Sequence, residues 1–327
     1  MNTGNVLKLI RLTEKSNRLS SELGQYTFEV FKSATFPGLS AIIERFLGAD
    51  AGSVATACFG IAGPVHDDVC HATNLPWRID ARALERELKL RRVSLVNDFH
   101  ALSIGILELP ASDLVTLHDA PSDPRGPWVV LGAGTGLGEA LIVRGPSGLE
   151  VIASEGGHTD FGPRDELEID LLRFLLKRHQ RASYERILSG PGLVALYEFF
   201  AEREPAARSK AIDAEFAARP EGRAACVSSH ALAGDDALCQ KALHTFVSLY
   251  GAEAGNLALK VLARGGVYVA GGIAPKILPT LLDGTFEKSY LAKGRLSPVL
   301  MRTPVKVVTN SDAGLLGAAA IAASLPQ

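Results

Sequence analysis

Apolar and polar positions follow one another along the chain in a strand-then-helix rhythm. Residues 6–12 (VLKLIRL) and 25–34 (QYTFEVFKSA) read as extended segments, and the polar break SNRLSSELG between them predicts a hairpin. GLSAIIERFLG then shows amphipathic helical spacing, its start marked by Pro37 and Gly38. SVATACFGIAG (53–63) predicts a buried strand ending in glycines. RIDARALERELKL predicts a helix with Asp80 as its N-cap. VSLVNDF (93–99) is a second buried strand that stops at polar residues, and HALSIGILEL continues as a helix. This order implies a parallel or mixed sheet covered by helices.

The stretch PASDLVTLHDAPSDPRGP (110–127) is rich in Pro, Asp and Ser and reads as a connection between domains. After it, WVVLGAGTGLGEALIVRG has strand character on both sides of a glycine loop. From Asp165 to about His244 the pattern is mostly helical. Within it, the polar, Ala/Arg-rich EREPAARSKAIDAEFAARPEGRAA reads as a surface insertion. A second α/β unit closes the chain: GGVYVAGGIAP (265–275), VKVVTN (305–310) and GLLGAAAIAASL (314–325). The expected division is a small α/β domain, 1–109 with a returning C-terminal helix in 304–327, and a larger one, 110–303.

Composition sharpens this picture in three ways. With 327 residues, 47% hydrophobic and 21% charged, the chain has apolar residues enough for two cores. A net charge of −2 gives no field that would draw nucleic acid or an anionic membrane. No apolar run reaches the ~18 residues of a membrane span, and the opening MNTGNVLKLIRLTEKSNR lacks the apolar core of a signal peptide. Cys58, Cys70, Cys226 and Cys239 form no C-x-x-C pair, which points to a reducing, cytoplasmic setting with thiols as packing residues. No metal ligand is assigned from the sequence.

The densest glycine cluster is Gly132-Ala133-Gly134-Thr135-Gly136-Leu137-Gly138. Glycines let a backbone reach positive φ and close its N–H groups on phosphate oxygens. A P-loop would need a Lys after the last glycine, and none follows. A dinucleotide fingerprint would open a helix, whereas EALIVRG alternates like a strand. The loop therefore joins two strands, with the Thr135 hydroxyl available to phosphate; a hairpin without a ligand is the plain alternative.

Candidate carboxylates sit at strand ends. Asn97 and Asp98 lie where VSLV stops, and in open α/β sheets ligands bind outside the carboxyl ends of strands. An aspartate there can take the proton of a substrate hydroxyl; an Asn-Asp pair after a strand can equally serve as a helix N-cap. Glu155-Gly156-Gly157-His158 can fan hydrogen-bonding groups around a polyhydroxylated ring, and Glu185 offers a further carboxylate that accepts from two hydroxyls at once. Taken singly, these three also suit surface or capping roles.

Together TNLPW (73–77), VNDFHALSIG (96–105), GAGTGLG (132–138), SEGGHTDFGP (154–163), ERILSGPGL (185–193), GNLAL (255–259), VAGGIAPK (269–276) and GLLGAAA (314–320) resemble the bacterial glucokinase family. The resemblance runs from about residue 54 onward. It implies a two-domain α/β fold of the actin-like ATPase (ribonuclease-H-like) type and transfer of the γ-phosphoryl of MgATP to the 6-hydroxyl of glucose. On that resemblance Asp98 is the catalytic base, and Asn97, Glu155, His158 and Glu185 are glucose ligands. Gly132, Gly134, Thr135 and Gly136 belong to a phosphate loop, and Gly271 and Gly272 lie beside adenosine. ATP and Mg²⁺ are the implied cofactors, and a homodimer the implied assembly. The related branch that includes sugar-responsive repressors carries a cysteine-rich zinc cluster near its histidine motif, which this sequence lacks. Other hexoses, other phosphoryl donors and a dinucleotide-dependent oxidoreductase remain alternatives to be separated by binding and turnover.

One departure stands out. Family members open with a strand, Asp-x-Gly-Gly-Thr, and a second strand. Here only Met1-Asn2-Thr3-Gly4-Asn5 precedes VLKLIRL, which matches the second strand. The missing strand would lie mid-sheet, and the missing Asp would help hold Mg²⁺. A start assigned too late, a divergent kinase in which Asn2 and Thr3 substitute, and an inactive sugar-binding homologue or regulator are the three accounts.

Overall fold

The computed structural model describes residues 6–12, 26–63, 65–71, 77–146 and 148–326. The chain divides into two compact units, 2–113 together with 310–327, and 114–309.

The smaller unit opens with β1 (Val6–Leu12) and β2 (Tyr26–Lys32), paired antiparallel from Val6↔Lys32 to Leu12↔Tyr26 as the pattern predicts. The break between them, SNRLSSELG, lies outside the described residues. α1 (Leu39–Leu47) buries Leu39, Ile42, Ile43 and Leu47, a stripe at helical spacing that joins Leu9 and Phe31 in one core. β3 (Thr56–Ile61) leads to the tight hairpin β4 (Val65–His66) and β5 (Val69–His71). Its turn residues Asp67 and Asp68 have φ of +51° and +61°, the mirror-image turn that suits strand twist. β6 (Arg78–Asp80) pairs with β5, so RID, read from sequence as part of a helix, is a short strand. Asp80 still caps α2 (Ala81–Leu88), accepting the Ala83 N–H at 3.0 Å. β7 (Arg92–Asn97) runs parallel to β3 and feeds α3 (Asp98–Glu108). Among the described residues, β1–β2 and β3–β7 are separate ladders.

The larger unit is built on a six-stranded mixed sheet. It contains β8 (Leu114–His118), β9 (Trp128–Ala133), β10 (Leu137–Gly145) and β11 (Gly148–Ser154). α4 (Glu166–Leu176), α5 (Gly190–Arg203), α6 (Lys210–Ala218), α7 (Arg223–Ala233) and α8 (Ala237–Val261) follow. β12 (Gly266–Ala270), α9 (Leu278–Leu281), α10 (Thr285–Leu291), α11 (Ser297–Leu300) and β13 (Val305–Val308) complete it. The strand order is β11-β10-β9-β12-β13-β8, with β12 parallel to β9 and β13 and the other pairs antiparallel. Every residue of β9 is buried, which is why its sequence is a continuous apolar run rather than an alternating one.

Two sequence readings change here. The stretch 110–127 is more than a connection, because Leu114–His118 forms the edge strand β8 against β13. The Ala/Arg-rich segment folds as α6 and the start of α7; α6 sends Ile212 and Phe216 into the core, and α7, continuing past the segment, adds Val227 and Ala231. α8 runs through the middle of that core. Its Gly251 and Gly255 let α10 approach closely, since a Cβ at either would fall 2.2 Å from the Phe286 carbonyl oxygen or 2.7 Å from that of Tyr290.

After β13 the chain returns to the smaller unit as α12 (Ala313–Ser324), which packs against α3 backbone to backbone. A Cβ at Gly105 would fall 1.8 Å from the Ala313 oxygen, and one at Gly317 would fall 1.8 Å from the Ala101 oxygen. Thr56 Oγ1 donates to the Ala322 carbonyl at 2.8 Å, tying α12 to β3. Among the described residues, no helix is long and apolar enough to cross a membrane.

Candidate active site

The glycine cluster is a strand–turn–strand hairpin, as its flanking patterns predict. Leu137 pairs with Ala133 and Gly138 with Gly132, leaving Gly134-Thr135-Gly136 as the turn. The Gly134 N–H donates to the Gly136 carbonyl at 2.8 Å, and the Gly190 N–H donates to the Gly134 carbonyl at 2.8 Å, tethering the turn to the start of α5. Thr135 is exposed, and a Cβ at Gly134 would meet nothing within 4 Å, so the tip of the turn faces open space.

Gly271 and Gly272 lie beside this hairpin at the end of β12. Gly271 has φ +84° and a hypothetical Cβ only 2.5 Å from the Ala133 oxygen, so both the conformation and the space demand glycine. A Cβ at Gly272 would meet nothing within 4 Å. Tyr250 of α8 ties the two glycine segments together: its hydroxyl accepts the Ala133 N–H at 3.0 Å and donates toward the Ala270 carbonyl at 3.2 Å.

Glu155, His158 and Glu185 converge beside the same turn. His158 Nε2 is 3.9 Å from Glu155 Oε2, and His158 Nδ1 is 3.8 Å from Glu185 Oε1. Glu185 Oε2 accepts the Leu137 N–H at 3.1 Å, which fixes one carboxylate oxygen on the hairpin and leaves the other toward His158. Gly136 has to be small for this, because a Cβ there would fall 2.4 Å from Glu185 Oε2. Side-chain exposures of 77% for Glu155, 53% for His158 and 31% for Glu185 leave all three available to a ligand.

The paired glycines of the Glu155–His158 motif have a packing reason. Gly156–His158 forms one 3₁₀ turn laid against β10. A Cβ on Gly157 would come 2.1 Å from the Leu137 oxygen, and one on Gly156 would come 1.9 Å from Glu139 Oε2. Two bare α-carbons thus bring the flanking Glu and His onto the glycine hairpin.

In the smaller unit, Asn97 ends β7 and Asp98 begins α3. The Phe99 N–H donates to both Asn97 Oδ1 and Asp98 Oδ1 at 2.9 Å, and Asn97 Nδ2 donates to the Gly63 carbonyl at 3.3 Å. Asn97 is thus a helix N-cap, as the plain reading of this pair had it, and Asp98 sits at the helix start at the carboxyl end of a strand. Of TNLPW, residues 73–76 lie outside the described residues, as do Met1–Asn5.

Sequence reasoning missed a buried polar layer behind these groups. Glu139 of β10 is 1% exposed, and neither carboxylate oxygen has a hydrogen-bond partner. Burial, then the nearby Glu253, raise its pKa from 4.5 to about 7, against a smaller opposing pull from Lys260. Glu253, which acts on Glu139 through its charge alone, is linked to Lys293 through Asn256. Asn256 Nδ2 donates to Glu253 Oε2 at 2.9 Å and to the Tyr184 hydroxyl at 3.1 Å, while Lys293 Nζ donates to Asn256 Oδ1 at 2.5 Å. Tyr184 precedes Glu185, so this network backs the turn that carries the site carboxylate. A glutamate at an inward-facing position of the alternating LGEALIV was the available signal.

Comparison with known proteins draws these observations together. Residues 6–325 match the Glucokinase family. A glucokinase of Nostoc sp. is 43% identical over 335 residues, covering 98% of this chain and 97% of that protein. The crystal structure of a glucokinase from an Antarctic psychrotroph is 30% identical, with TM-score 0.78, covering 90% of this chain and 89% of that one. A ROK family glucokinase from Streptomyces griseus, solved in complex with glucose and AMPPNP, shares the fold at 22% identity and TM-score 0.57, covering 91% of each chain. The family match spans both units, and it takes in the glycine hairpin, the Glu–Gly–Gly–His turn and the Asn–Asp strand end alike. This chain belongs to the glucokinase family.

Proposed function

We propose that this chain is an ATP-dependent glucokinase, transferring the γ-phosphoryl group of ATP to the 6-hydroxyl of glucose to give glucose 6-phosphate for glycolysis. The observation that carries the proposal is the convergence of Glu155, His158 and Glu185 on the glycine hairpin, with the Leu137 N–H holding Glu185. A surface that recognises several hydroxyls then lies next to one that can cradle phosphate. A bare sugar-binding role would not need the second, nor a nucleotide-binding role the first.

Each group has a distinct task in this reading. Glu155 and Glu185 accept from sugar hydroxyls, and His158 adds a ring nitrogen. Asn97 contributes its side-chain amide to the sugar. Asp98 takes the proton of the 6-hydroxyl as that oxygen forms its bond to the γ-phosphorus. The bond from the γ-phosphorus to the bridging oxygen breaks, and ADP departs with the electron pair. The N–H groups of the turn at Gly134, Thr135 and Gly136 meet the phosphates, with Gly132 shaping the strand before it. Gly271 and Gly272 give backbone against which the adenosine lies. A Cβ at Gly134 or Gly272 would meet nothing within 4 Å, so the backbone there is open to a ligand. Mg²⁺, which neutralises phosphate charge, is held chiefly by the nucleotide, since Mg²⁺ is usually bound through one or two carboxylates plus substrate phosphates.

Four free thiols accord with a cytoplasmic setting, and a homodimer is the assembly expected of the family. The test is glucose 6-phosphate formation from glucose and MgATP, with Asp98→Asn alongside. Turnover that falls ~10²–10⁴-fold in that variant, with glucose binding retained, supports the proposal. Glucose binding without ATP turnover in the parent chain would instead identify a sugar-binding homologue.

A further inference from the structure

Away from these residues, α6 and α7 bring together three side chains of the kind that hold a transition metal. Glu215 of α6 and Cys226 and His230 of α7 each offer a ligand atom, and these atoms lie within 4.8 Å of one another. Among the described residues this is the one such group of three. Cys226 and His230 are four residues apart on one helix, so they project from the same face on consecutive turns. Glu215 reaches them from the neighbouring helix.

We propose that Glu215, Cys226 and His230 bind a divalent cation of the zinc class, with Asp235 as the carboxylate that orients His230. The chemistry of the donors selects the ion. A thiolate, an imidazole and a carboxylate suit zinc, whereas magnesium and calcium take oxygen alone. Around a tetrahedral zinc with bonds of 2.0–2.3 Å, neighbouring ligand atoms stand about 3.3–3.6 Å apart. His230 Nε2 and Glu215 Oε1 are now 3.0 Å apart, so that pair would open by a few tenths of an ångström, and all three ligand atoms already lie within 4.8 Å of one another.

The surroundings are arranged as a metal site requires. His230 Nδ1 is 2.8 Å from Asp235 Oδ1, the carboxylate–histidine pairing that turns the other ring nitrogen toward a metal. Gly234, with φ +75°, reverses the chain after α7 and sets Asp235 back against the ring. Burial, then Glu215, Asp236 and Asp235, hold the Cys226 thiol in its protonated form, a cost that the charge of the ion offsets on binding. Binding would displace to solvent both the Cys226 thiol proton and the proton between His230 Nε2 and Glu215, and leave a fourth position for water. The ion would add a tie between α6 and α7, which already share the core residues Ile212, Phe216, Val227 and Ala231.

The test is titration of the full chain with Zn²⁺ and, as a spectroscopic probe, Co²⁺. One equivalent should bind, with Co²⁺ giving a thiolate charge-transfer band and the intense visible bands of tetrahedral coordination. Cys226→Ser should abolish the charge-transfer band and weaken binding at least 10-fold. Asp235→Asn should weaken it ~10–100-fold while keeping the band. Zn²⁺ should raise the thermal midpoint of the parent and leave that of Cys226→Ser unchanged, with glucose phosphorylation the same in both proteins. No saturable binding at one equivalent, or equal affinity in Cys226→Ser and the parent, overturns the proposal.

Discussion

Glu139 allows a quantitative prediction, because it is a buried carboxyl group with neither oxygen hydrogen-bonded. Its pKa of about 7, set by burial and by Glu253, exceeds the ordinary 4.5. Below pH 4.5 the carboxyl is protonated in both folded and unfolded chains and contributes no pH dependence. Between 4.5 and about 7 the unfolded chain loses the proton while the folded one keeps it, so stability falls as pH rises. Above about 7 both forms are ionised and the loss levels off. At ~1.4 kcal/mol per pH unit the full loss is about 3 kcal/mol. Glu139→Gln keeps the shape and removes the charge. Near pH 5 parent and variant should unfold at similar temperatures. At pH 8 the variant should be more stable by about 3 kcal/mol, which is ~6–12 °C for a unit of this size. Thermal unfolding followed by circular dichroism at pH 5, 6.5 and 8 reads the gap directly. A gap that stays constant with pH, or a variant less stable at pH 8, would show that the carboxyl has a partner and refute the reasoning.

Three further outcomes follow from the same geometry. Glu185→Gln should raise the KM for glucose ~10–100-fold, the weight of a hydrogen-bonding carboxylate, with the KM for ATP little changed; steady-state kinetics in both substrates separate the two. Gly271→Ala combines a positive φ costing ~1–2 kcal/mol with a backbone clash costing ~1–3 kcal/mol. It should raise the KM for ATP and lower the thermal midpoint, whereas Gly272→Ala, with open space around it, should leave the midpoint near that of the parent. Gly317→Ala, whose Cβ would fall 1.8 Å from the Ala101 oxygen, should destabilise the smaller unit by ~1–3 kcal/mol in urea unfolding.

Much of this architecture was legible because local pattern and tertiary role agree. The β1–β2 hairpin, the Asp80 cap and the glycine hairpin each follow from spacing that the structure preserves. The glycine hairpin in particular was separable from a Rossmann turn by the alternation of EALIVRG alone. β8 escaped notice because its five residues are flanked by Pro, Asp and Ser, and an edge strand needs a partner from far along the chain to declare itself. The meeting of Glu155, His158 and Glu185 was not readable from spacing either. Two separate 3₁₀ turns, Gly156–His158 and Tyr184–Arg186, bring these side chains together, and only the family resemblance linked them beforehand. Glu215, Cys226 and His230 stayed hidden for the same reason: Glu215 lies in the polar Ala/Arg-rich segment and the other two beyond its end, and only the packing of α6 on α7 brings them together.

The order of the larger sheet bears on how the chain is made in the cell. β9 and β12 are neighbours in the sheet, yet all of β10 to α8 is synthesised between them, and β8 waits for β13. The smaller unit draws its core from residues 9–95 and adds only the close α3–α12 contact at the end. At ~5–20 residues per second, roughly 10–40 s pass between the emergence of β8 and that of β13. The larger unit cannot complete its sheet until β13 emerges, so it presents apolar surface to holding chaperones through much of translation, and a ribosome stalled before residue 305 carries that domain half built.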